Sequence, residues 1–126
     1  MTARVDLGRE DGRHYPGDVV SGTVEWSLPE APLNAAVRVR WRTEGKSWPE
    51  DSGVVGIERF AALRAVDRRP FKLTLPPMPY SYSGKVLSIV WRVEFFQRSR
   101  WRGEKIEAFR VITMSPTGDA IDPYRR

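Results

Sequence analysis

The stretch AVRVRWR, residues 36–42, sets guanidinium groups two residues apart at Arg38, Arg40 and Arg42. In an extended chain such side chains share one face and stand about 7 Å from one another. Guanidinium forks grip carboxylates and phosphates through paired hydrogen bonds, so this row is chemistry for docking an acidic or phosphorylated segment. Arg92 points outward from another candidate strand and adds a fourth cation. The same residues also make an ordinary solvated face, paired with Glu25 or Glu94, where surface ion pairs contribute about 0–1 kcal/mol. Both readings stay open at this level.

A second constellation is QRSRWRGEK, residues 97–105, where Trp101 stands between Arg100 and Arg102 at the tip of a predicted hairpin. An exposed tryptophan among arginines suits a protein interface, a lipid headgroup region or base stacking. The alternative is an indole folded back on the rim with an arginine stacked over it. Trp48, in EGKSWPEDSG, is a weaker case of the same kind. A third feature is the outward row Val86, Val90 and Phe96, apolar where a solvated face is expected. It calls for a cover: a partner, a second copy, the chain's own tail, or a bulge that turns Phe96 inward.

Catalytic chemistry finds little to work with. His14 is the only histidine, beside a turn, and is expected at the surface. There is no cysteine, so neither a Cys–His pair nor a thiolate metal set exists. Asp6, Glu10, Asp11 and Asp18 lack the spacing of a calcium loop, and no phosphate-binding loop or nucleophile elbow occurs. The sequence therefore predicts a protein that is not an enzyme and takes no cofactor and no metal.

What must position these residues is read from a period of two. Val37, Val39 and Trp41 alternate with the arginines; Val20, Val24, Trp26 and Leu28 form another inward row, with Gly22 on the same face. Phe71, Leu73 and Leu75 alternate with Lys72 and Thr74, and Leu87, Ile89, Trp91, Val93 and Phe95 make the longest row. Arg4 to Leu7 reads as an edge strand. Val54 to Val66 mixes phases, since Val55, Ile57, Ala61 and Leu63 share a face that Phe60 leaves, and a bulge or bend is expected there. Residues 105–114 alternate without a clear inward set. Turns are predicted at Tyr15–Asp18, Pro29–Pro32, Glu44–Gly53, Asp67–Pro70 and Ser99–Glu104. Pro76, Pro77 and Pro79 cannot donate to a ladder, so pairing stops there and a stiff segment crosses from one layer to another. Short, closely spaced strands without a helix predict an all-β, immunoglobulin-like sandwich of seven to eight mostly antiparallel strands in two sheets.

Two stretches carry a family resemblance. YPGDVVSGTVEW, residues 15–26, and FKLTLPPMPYSYSGKVLSIVWRVEF, residues 71–95, resemble the paired motifs of the arrestin-like family in content, order and separation. The resemblance implies the N-terminal arrestin-type sandwich, acting without catalysis as an adaptor that holds cargo, receptor tails or membrane machinery. Family members usually carry two such sandwiches, and this chain has length for one. The polar core that switches the two-domain members is therefore not carried over, and a homodimer or a separate partner would have to replace the other half.

The 126 residues suit one domain, expected over 1–114, with a loose tail over 115–126. Net charge is +5, from 21 basic residues, seventeen of them arginine, against 16 acidic ones. That balance favours acidic partners. The expected function is a protein-binding adaptor or scaffold that docks a partner, acidic or phosphorylated, through a sheet edge or the basic outer face. The alternative is a binder of nucleic acid or anionic membrane using the arginine row and Trp101. No apolar stretch reaches the roughly twenty residues of a membrane span. The first residues lack a signal core, and a cytoplasmic setting is expected.

Overall fold

Runs in which apolar residues fall at every second position can bury one face only by pairing side by side and packing on a second layer. The computed structural model, which describes residues 2–9, 11–45, 51–84, 87–99 and 103–122, shows that solution. In chain order the strands are β1 (Thr2–Leu7), β2 (Arg13–His14), β3 (Val19–Ser27), β4 (Asn34–Glu44), β5 (Ser52–Arg59), β6 (Val66–Thr74), β7 (Tyr82–Ser83), β8 (Ser88–Ser99) and β9 (Gly103–Met114). Among the described residues there is no helix. A small sheet has the order β1-β3-β6. The larger sheet has the order β2-β9-β8-β4-β5, with β7 paired to β8. All these pairings are antiparallel except β2 with β9.

The predicted inward rows meet between the layers. Val24, Trp26, Val37, Val39, Phe71, Leu73, Trp91, Val93 and Phe95 are all buried. Trp26 stacks on Phe95 at 5.1 Å between ring centroids. Each buried indole N–H finds a carbonyl: Trp26 donates to Arg64 and Trp91 to Pro79, both at 2.8 Å. Trp41, Leu87 and Ile89, also expected in the core, are half-buried nearer the rim. The glycine of the SGTV stretch has a steric cause. A Cβ on Gly22 would lie 2.0 Å from the Asp6 carbonyl oxygen, so only glycine lets β1 approach β3 here.

The proline segment does cross between layers, since β6 belongs to the small sheet and β7 and β8 to the larger one. The Tyr15–Asp18 turn is present, closed by the Asp18 N–H on the Tyr15 carbonyl at 3.0 Å, with Gly17 at φ 82°.

The bulge expected in the mixed-phase run is present, in a stretch of two strands and a loop, while other expectations are corrected. The β4–β5 register slips between Val39 and Arg40, leaving Val55 unopposed; β5 ends at Arg59; and Phe60 turns inward beside Trp26. Ile57 consequently points out. Asp67–Pro70 is no turn but part of β6, where an edge strand tolerates Pro70 because its missing N–H would face away from β3. His14 is buried, with Nδ1 3.0 Å from the Gly12 carbonyl oxygen. From Ser115 to Asp122 the chain is fastened rather than loose: Ile121 donates to Ser81 and accepts from Ser83, each at 2.8 Å.

Candidate functional site

Alternation along β4 puts Arg38, Arg40 and Arg42 on the outer face of the larger sheet, and register brings β8 beside them. Arg38 opposes Glu94, Arg40 opposes Arg92, and Arg42 opposes Val90. The row is thus gathered around one acid. Glu94 Oε1 lies 2.8 Å from Arg38 Nε and 3.3 Å from Arg40 Nε, and its Oε2 lies 3.2 Å from Arg92 Nη2. Arg38 also reaches Glu104 at 3.2 Å, and Arg42 pairs with Glu44 at 2.7 Å.

The pairs on Glu94 are not solvated surface pairs. Glu94 is 0% exposed, and the side chains of Arg92 and Arg40 are only 12% and 22% exposed. The arginine stems themselves provide the cover, a use for which long amphipathic side chains are suited. The Arg38 guanidinium lies 4.5 Å from the Phe96 ring centroid and that of Arg92 lies 3.6 Å from the Phe109 centroid. Burial lowers the pKa of Arg92; Glu94 opposes that effect, and Arg42 and Arg40 add to it. The Nε atoms of Arg40 and Arg92 and Glu94 Oε2 are buried without a hydrogen-bond partner.

The cover sought for Phe96 is therefore Arg38, from the same chain, and Phe96 is buried. Val90 is half-buried opposite Arg42. Glu94 is the pairing acid, while Glu25 belongs to the other sheet, with Arg4 and Arg68. Val86, Arg100, Trp101, Arg102 and Trp48 lie outside the described residues. Sequence reasoning missed the flanks. Val54 and Ile57 on β5, and Ile106, Phe109 and Val111 on β9, are exposed beside the arginines. The ambiguous alternation of 105–114 was the one signal, since it left apolar residues on both faces.

The β6 edge and the seam between β1 and β9 are partly blocked. Outward amides of an edge strand recur every second residue. Along β6 the Arg68 N–H donates to its neighbour Asp67 Oδ1, Pro70 has none, and the Lys72 N–H donates to Glu58 Oε2 of β5, the two bonds being 2.8 Å each. At the opposite seam Arg110 of β9 reaches the Val5 carbonyl of β1 at 3.4 Å. Proline and inserted side chains are common devices against strand addition.

No family model matches this sequence, and no curated protein matches it. Among solved structures, the chain is similar to Spo0M, a sporulation control protein from Bacillus subtilis, with a TM-score of 0.57 and 20% identity over 91% of this chain. The match covers 50% of that structure, so the chain spans half its length. The likeness shows the fold, an arrestin-type sandwich.

Proposed function

We propose that this chain is a non-catalytic protein-binding adaptor domain whose partner docks on the outer face formed by β5, β4, β8 and β9. The observation that carries this is the exposed apolar frame of Val54, Ile57, Ile106, Phe109 and Val111 around arginines held in place by a buried glutamate. Exposed apolar side chains gathered on one face mark an interaction surface, and arginines already ordered by ion pairs lose little side-chain freedom on binding. Edge docking has less support at β6, whose middle is blocked by Asp67, Pro70 and Glu58.

Binding to nucleic acid or to an anionic membrane also has less support. Glu94, Glu44 and Glu104 offset all but one of the arginine charges that a polyanion would need. A cytoplasmic setting fits the absence of cysteine.

The test is affinity capture with three folded forms of the chain. Val54→Asp combined with Val111→Asp is expected to lose the partner retained by the wild type, while Val66→Asp on β6 keeps it. Capture that survives the double substitution overturns the proposal. Binding that falls steeply with salt and is competed by DNA or RNA would favour the alternative instead.

A further inference from the structure

One row across the outer face is chemically unlike the others. Register aligns Val54, Arg40, Arg92 and Val111 on four adjacent strands. The neighbouring row reads Ile57, Arg38, Glu94, Phe109, so there the arginine meets its acid directly. In the first row two guanidiniums stand opposite one another, an unfavourable cross-strand pair. They share Glu94, which lies in the other row and is also held by Arg38. Their Nε donors remain unsatisfied. Counting the linked groups, four guanidiniums (Arg38, Arg40, Arg42, Arg92) face three carboxylates (Glu44, Glu94, Glu104), leaving one positive charge.

The row also has a length. Strands about 4.8 Å apart separate Val54 from Val111 by roughly 14 Å across three intervals. Side chains at i, i+2 and i+4 of an extended segment span roughly 13 Å. We infer that the partner presents an extended segment of the pattern apolar-x-acid-x-apolar, laid across the strands, its single carboxylate between Arg40 and Arg92 and its apolar residues on Val54 and Val111. This rests on the docking face proposed above and specifies its occupant. A carboxylate supplies the one negative charge the network lacks. A phosphate brings about two charges at neutral pH and overshoots. A second copy of the chain would set Arg40 and Arg92 against their own equivalents, which favours a different, acidic partner.

Panning a random peptide display library on the intact chain tests this, followed by affinity measurements on an enriched peptide and its variants. The expected result is enrichment of one Asp or Glu with apolar residues two positions to either side. Glu→Gln in the peptide should cost about tenfold, the usual worth of a charged hydrogen bond. Arg40→Gln should erase that difference. Phosphoserine in place of the acid should not bind the wild type more tightly. On Glu104→Gln, an exposed substitution that leaves the network one negative charge poorer, phosphoserine should gain on the carboxylate.

Peptides that need this face but no acid, or a phosphoserine preference in the wild type, overturn the inference and leave the docking face standing. So does a dimer in sedimentation that Val111→Asp abolishes, because it assigns the face to a second copy. Binding that is indifferent to Val54→Asp and Val111→Asp overturns both the inference and the face. Panning that enriches nothing also overturns the inference.

Discussion

The two outer faces of this sandwich use the same residue types in different states. On the small sheet, Arg4 bridges Asp6 and Glu25, and Arg68 joins Glu25, with the arginine side chains 65% and 67% exposed. On the larger sheet, arginines from two strands close over a glutamate that is 0% exposed. The difference arises from strand position and neighbours. Glu25 sits in a three-stranded sheet whose outer side chains spread into solvent. Glu94 sits on β8, between β4 and β9, where arginine stems and the rings of Phe96 and Phe109 fill the space above it. Charge alternation in a sequence therefore describes a face without saying how wet it is.

The comparison breaks most readily at its two keystones. Glu94→Ala leaves three arginines without their shared acid, and breaking a buried ion pair in this way costs about 3–5 kcal/mol. Urea unfolding measures it, and a loss under about 1 kcal/mol would make the larger sheet's network no different from a surface one. Next in size is Gly22→Ala on the small sheet, where a methyl group meets the Asp6 carbonyl; overpacking of this kind costs about 1–3 kcal/mol. A neutral effect there would show that β1 shifts freely, and that the small sheet is not held by close backbone approach.

Smaller effects sharpen the contrast. Glu25→Gln is expected to cost less than about 1 kcal/mol, fading at high salt, as exposed pairs do. Equal sensitivity of Glu25→Gln and Glu94→Gln to salt would contradict the assignment of one pair to solvent and the other to the interior. The smallest effect concerns Asp67. The hydrogen bond from Arg69 holds its carboxyl below the ordinary 3.8, against an opposing effect of burial. A depressed carboxylate contributes stability above its unfolded value and loses it as pH falls through the folded one. Wild type should therefore exceed Asp67→Asn at neutral pH, with the gap closing below about pH 4. A gap that persists in acid would assign Asp67's role to something other than its charge.

Much of this was legible from residues alone. The alternation in AVRVRWR put three arginines on one face, and VWRVEF placed Arg92 and Glu94 beside them in kind. Three prolines in PPMP marked the change of layer. Glu94's burial was not legible, because a period of two says which way a side chain points and nothing about what lies over it. The β5–β6 region misled because its apolar residues serve opposite faces on either side of a bulge, and because Pro70 stands inside a strand. The exposed frame of Val54, Phe109 and Val111 was signalled only by the mixed alternation of 105–114. It needed the register that sets those residues on the flanks of the arginines.

The most direct test of the docking face is methyl NMR on valine-labelled protein titrated with its captured partner. The account predicts that Val54 and Val111 shift on binding while Val19 and Val66, exposed on β3 and β6 of the small sheet, stay in place. Shifts confined to Val19 and Val66 would contradict it.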